Sequence, residues 1–171
     1  MGNATNIGVD MSLKILRLFT EKKNRYRKEL RKPFSYGAFS FATDGRIIVR
    51  LKRCDGANGS FSKASVAAAY FRQFPKRGFV KIDIPNKADV PKNDHGFRVV
   101  AIAHRHFDMQ FLTPLKRLPK LKVGVNIDRL AERKRSYFKF GPMPFIFDGG
   151  CGWVMPNLGN STYRIKLRKV K

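Results

Sequence analysis

Between Phe41 and Leu51 the chain reads FATDGRIIVRL, an Asp-Gly pair set between two runs of large apolar residues. Such a pair flanked by alternating hydrophobic residues is a strong short-range signal for an antiparallel hairpin, because glycine adopts the positive φ that tight turns require. The pattern predicts an outgoing strand over Tyr36–Ala42, a turn centred on Asp44 and Gly45, and a return strand over Arg46–Arg53. Successive side chains of a strand point to opposite faces. Ile47, Val49 and Leu51 therefore share one face, while Arg46, Arg50 and Lys52 share the other, with Ile48 among them. One face needs a core; the other needs a reason to display cations.

The charge balance supplies a reason. The 171 residues hold 36 Lys and Arg against 12 Asp and Glu, a net charge of +24, yet 43% are hydrophobic and 15 are Phe. That apolar content predicts a folded chain rather than a disordered polycation. Its length suits one domain over 1–171, with a flexible N-terminus over 1–11 and a basic strand or tail over 157–171. Self-repulsion weakens a compact state of this charge, so a polyanionic partner is the simplest reason to keep it. Nucleic acid comes first, then an anionic membrane surface or an acidic protein. Cys54 and Cys151 lie far apart and form no disulfide framework. The chain shows no signal peptide and no apolar run that would span a bilayer, and MGNATN has Asn6 where a myristoylation signal wants Ser or Thr. The expectation is a soluble, cytoplasmic protein.

Periodicity predicts a first helix over Ser12–Arg31, with Asp10 or Ser12 as N-cap and an apolar stripe of Leu16, Phe19, Tyr26 and Leu30. Its other side carries Lys14, Arg17, Lys22, Lys23, Arg25, Arg27, Lys28 and Arg31, opposed by Glu21 and Glu29 alone. A second helix is expected over Ser62–Phe74, with Ala67, Tyr70, Phe71 and Phe74 on one side and Pro75 closing it. Strands follow: FVKIDI, one or two within GFRVVAIAHRHFDMQFL, LKVGVNI, SYFKF, PFIF and GGCGWVMP. The tail TYRIKLRKVK alternates, with Tyr163, Ile165 and Leu167 on one face and Arg164, Lys166 and Arg168 on the other. The pattern is α+β: two helices packed on mainly antiparallel sheets.

Catalytic signals are thin. His104, His106 and Asp108 share one face of a strand in H-x-H-x-D, a fragment of a metallo-hydrolase pattern. A two-metal site needs more ligands, and His95 is the one other histidine. The triplet reads better as the polar face of a strand. Nucleophile elbows, Walker loops and dinucleotide fingerprints are absent. The expectation is no catalytic residue, no metal and no cofactor. The positive signal is cationic: Lys22, Lys23, Arg25, Arg27, Lys28 and Arg31 on the first helix, Arg46, Arg50 and Lys52 on the hairpin, and Arg164, Lys166 and Arg168 on the tail. No base-reading motif accompanies them, so backbone contact is the expected mode. A membrane is the weaker partner, because a chain this small needs its apolar helix stripe for the core.

Two stretches carry a family resemblance. SFATDGRIIVRL resembles the strand-turn-strand of bacterial sliding clamps, the β subunits of replicative DNA polymerase, and FIFDGGCGWVMP resembles the clamp strands that end in Met-Pro. In this order, over Lys32–Arg53 and Phe138–Pro156, they look most like short clamp-like proteins of bacteriophages. The resemblance implies a single clamp-like processivity-fold domain in the cytoplasm of an infected bacterium. It also implies a basic helix facing DNA, and a pocket at Met155 and Pro156 for a polymerase or host peptide. The function expected is a non-enzymatic, sequence-independent nucleic-acid binder, DNA rather than RNA, accessory to phage DNA replication. The charge predicts a monomer or dimer that assembles further only on nucleic acid. Two alternatives stay open: a counter-defence or regulatory protein occupying a host target, and a metal-dependent nuclease built on His104, His106 and Asp108.

Overall fold

A computed structural model describes residues 6–23, 25–103, 105–125, 141–157, 161, 163–165 and 167. His104, the SYFKF strand, the end of LKVGVNI, Lys166 and Arg168 lie outside them. The architecture is α+β, as the sequence pattern predicts: one seven-stranded antiparallel sheet and a smaller three-stranded one. The strands are β1 (Phe34–Tyr36), β2 (Phe39–Thr43), β3 (Ile47–Lys52), β4 (Phe79–Lys81), β5 (Val99–Ile102), β6 (Arg105–Asp108), β7 (Lys122–Gly124), β8 (Met143–Phe147), β9 (Gly150–Val154) and β10 (Tyr163–Arg164). The large sheet runs β1-β2-β3-β9-β8-β7-β4 and the small one β10-β5-β6. Among the described residues, no helix is long and apolar enough to cross a membrane. By contacts the chain divides into two compact units: Met1–Phe74 with Gly149–Gly152, and Pro75–Asp148 with Trp153–Lys171.

The first unit is built on the predicted hairpin. Asp44 makes its turn: one carboxylate oxygen accepts from the amides of Arg46 and Ile47, both at 2.8 Å, while Gly45 takes φ +89°. The outgoing strand is interrupted near its start. Gly37, at φ +58°, reverses the chain and splits the predicted Tyr36–Ala42 strand into the antiparallel pair β1 and β2. Phe34, Phe41, Phe61, Phe71 and Phe74 form one aromatic cluster, with ring centroids 4.8–5.9 Å apart between neighbours. Each fully buried Phe stabilises by roughly 1.5–3 kcal/mol, so this cluster is a large share of the unit's stability.

The helices are shorter than their periodicity implies. α1 spans Asn6–Arg17, so it starts before both predicted N-caps, includes part of the N-terminus expected to be flexible, and ends well before Arg31. The amides of Leu18 and Phe19 bond back to Ile15 and Leu16 in a tightened last turn, and the Thr20 hydroxyl donates to the Arg17 carbonyl at 3.1 Å. Continuing the helix would stack Lys22 near Arg25 and Lys23 near Arg27, like-charge pairs that destabilise helices. Leu16, Phe19 and Leu30 are buried as expected, but Tyr26 is 96% exposed because the stripe it belonged to has ended. α2 covers Ala64–Ala69 of the predicted Ser62–Phe74; beyond it Phe71 and Arg72 bond back three residues, which leaves Tyr70 exposed.

In the second unit, Val99–Ile102 of β5 is buried throughout and pairs antiparallel with β6, Val99 opposite Asp108. The chain then turns at once into α3 (Met109–Leu112) and a 3-10 turn over Thr113–Arg117, burying Met109, Leu112 and Leu115. β7 pairs antiparallel with β4 and β8. Among the described tail residues the strand is β10, which lies parallel to β5 with Tyr163 beside Val100; of the predicted apolar face, Ile165 just past β10 is buried, whereas Tyr163 is exposed.

Candidate nucleic-acid interface

The segment after α1 concentrates charge without α-helical order. Lys22, Lys23, Arg25, Arg27, Lys28 and Arg31 are all exposed. Two features fix their path. Leu30, buried in a 3-10 turn over Lys28–Arg31, anchors the far end, and its carbonyl accepts from the Glu21 amide at 3.0 Å. The Glu21 carboxylate in turn accepts from the amides of Lys22 and Lys23, both at 2.9 Å. The segment is thus a loop closed at its base, with its cations outside. Arg27 reaches the carbonyl of Asp44 at 3.5 Å, which lays this loop against the hairpin turn beside exposed Arg46. Two clusters read separately in the sequence meet there.

On β3 the predicted alternation is present: Ile47, Val49 and Leu51 are buried, and Lys52 is exposed. The row of cations is nevertheless broken. The half-buried Arg50 has its guanidinium 4.5 Å from the Phe39 ring centroid and 4.6 Å from that of Phe71, so it is held in an aromatic slot. It also neighbours Cys151, whose thiol burial pushes above its ordinary value while Arg50 pulls it down. Both cysteines are free thiols.

Of the tail cations, Arg164 is exposed on β10. Met155 is exposed and Pro156 half-buried, just past β9. A cavity of about 340 Å³ lies elsewhere, lined by Lys81, Asp83, Leu115, Lys116 and Lys120 among others.

The polar-strand-face assignment of His106 and Asp108 is corrected. Asp108 is buried and caps α3, its carboxylate accepting from the Gln110 amide at 2.9 Å. His106 is half-buried, and its Nδ1 is enclosed without a hydrogen-bond partner. Their neighbours on the same face, across on β5, are Val99 and Ala101, both buried. Among the described residues, no three His, Cys, Asp or Glu side chains converge as a metal site.

No family model, curated protein or solved structure matches this chain. The interface therefore rests on its own residues. The charge pattern does not single out three residues around the Lys52 end of β3: Tyr36, Phe39 and Arg53. Phe39 and Tyr36 are exposed, and the Arg53 guanidinium donates to the Gly37 carbonyl between them at 2.8 Å. The signal was present as SYGAF, an aromatic on each side of a Gly-Ala turn.

Proposed function

We propose that this chain is a non-enzymatic nucleic-acid-binding protein that grips the phosphate backbone largely without regard to sequence. The observation carrying it is the loop of six exposed cations, Lys22 to Arg31, seated against the hairpin turn beside Arg46. A fixed loop loses less conformational entropy on binding than a free tail would, so its charges are pre-arranged for a polyanion. A clamp-like fold and a role in phage DNA replication, with a polymerase or host protein at Met155 and Pro156, are the biological setting we propose. The Asp-Gly hairpin, the antiparallel sheet and an exposed Met155 after β9 support that setting.

Salt dependence tests the backbone grip. If all six cations engage a duplex, they contribute a log–log slope of about −5, from roughly −0.9 per neutralised phosphate. Replacing Lys22, Lys23, Arg25 and Lys28 by Gln spares Arg27 and Leu30, and is expected to flatten the slope by about 3 to 4. An unchanged slope in the folded variant would refute this site.

A further inference from the structure

The register of β1, β2 and β3 sets Tyr36 opposite Phe39 and Phe39 opposite Lys52. Residues directly opposite each other share a face of the sheet. Tyr36 is 48% exposed, Phe39 37%, and Lys52 is exposed beside them. The next row on this face is Phe34, Phe41 and Arg50, in which both Phe rings are buried. Large rings turned outward at the edge of an otherwise well-buried aromatic cluster are unlike scattered surface apolar residues.

The geometry also restrains the Phe39 ring and the turn between the two aromatics. Arg50 holds the ring of Phe39, and Arg53 ties down the turn between the two aromatics through the Gly37 carbonyl. A rigid ring loses little entropy when a flat partner lies on it. Lys52 and Arg53 are both exposed nearby, which suits a flat partner that also carries negative charge.

We propose that Tyr36 and Phe39 form a base-stacking platform for single-stranded nucleic acid, with Lys52 and Arg53 contacting its phosphates. Bases of a duplex are stacked on each other and closed to such rings, whereas every unpaired base offers a π-face. The platform thus gives the backbone binder a preference for single strands. Arg50 acts as a positioning residue, holding Phe39 rather than meeting phosphate. This inference rests on the nucleic-acid reading of the preceding subsection, and the two are separable by experiment.

Fluorescence anisotropy would compare oligothymidine, an abasic strand of equal length and charge, and a duplex of that length. The wild-type protein is expected to bind oligothymidine most tightly. Tyr36→Leu with Phe39→Leu is expected to weaken oligothymidine binding about tenfold or more, leaving abasic-strand affinity and the salt slope unchanged. Tyr36→Leu alone, which leaves the Phe39–Arg50 contact in place, is expected to show part of the loss. Circular dichroism confirms that each variant is folded. Equal wild-type affinity for the oligothymidine and abasic strands, or equal losses on both in the folded variants, overturns the platform but leaves the backbone grip standing. Failure to bind any of the three at low salt overturns both. Displacement of oligothymidine by polyglutamate as effectively as by unlabelled oligothymidine of equal charge overturns the platform in favour of an acidic protein partner.

Discussion

Asp108 offers a direct comparison of two roles for one carboxylate. As the cap of α3 it accepts from the Gln110 amide at 2.9 Å and faces the Gln110 side-chain amide at 3.4 Å, with 6% of the residue exposed. Losing an N-cap costs about 1 kcal/mol, within a range of roughly 0.5–2. Here the freed Gln110 amide is also partly shielded from water, which places Asp108→Ala toward the upper end, at about 1.5 kcal/mol. Asparagine keeps the accepting oxygen, so Asp108→Asn is expected to cost no more than about 0.5 kcal/mol. Urea unfolding followed through Trp153, the single tryptophan, measures both. With a urea slope of about 1–3 kcal/mol per molar, the alanine variant shifts the midpoint down by about 0.5–1.5 M. Equal losses for alanine and asparagine, or no loss for either, would refute the capping role. Divalent-dependent cleavage of nucleic acid by the wild type, lost in both variants, would instead make Asp108 a metal ligand.

Two further perturbations address the hairpin and its neighbour. Gly45→Ala keeps the loop sequence but forces an L side chain to φ +89°, and its methyl would meet the Arg27 guanidinium. Arg27 is long enough to swing aside, so the expected cost is mainly backbone strain, about 1–2 kcal/mol, with a weaker hold on the basic loop; an unchanged melting midpoint would refute it. Burial raises the Cys151 thiol, opposed in part by Arg50, so the native state keeps that proton to higher pH than the unfolded chain. Its contribution to stability is then complete below the ordinary thiol value and is lost as pH rises through the folded one. Iodoacetamide is expected to label Cys151 more slowly in native than in urea-unfolded protein just above neutral pH, and equal rates would refute the shift.

The sequence by itself determined the features whose causes lie within a few residues. The hairpin is legible because Asp44 accepts from amides two and three residues on, and Gly45 tolerates the φ the turn needs. The alternation of β3 is legible because pleating is local. Exposure of the six cations from Lys22 to Arg31 follows from their charge, whether or not the segment is helical. Local cues for the end of α1 were also there, in Thr20, Glu21 and the crowded cations, but a periodic apolar stripe outweighed them. Tertiary structure decided what depends on distant partners. By alternation Arg50 shares a face with Arg46 and Lys52, but its guanidinium lies 4.6 Å from the Phe71 ring centroid, a contact that no local pattern specifies. Asp108 belongs to a polar strand face by alternation, but the turn of the chain into α3 makes it a buried cap. By its alternation the tail could pair either way round; it lies parallel to β5, with Ile165 buried just beyond β10, a direction that no local pattern specifies. Alternation fixes which side chains share a face, whereas what covers that face depends on residues far along the chain.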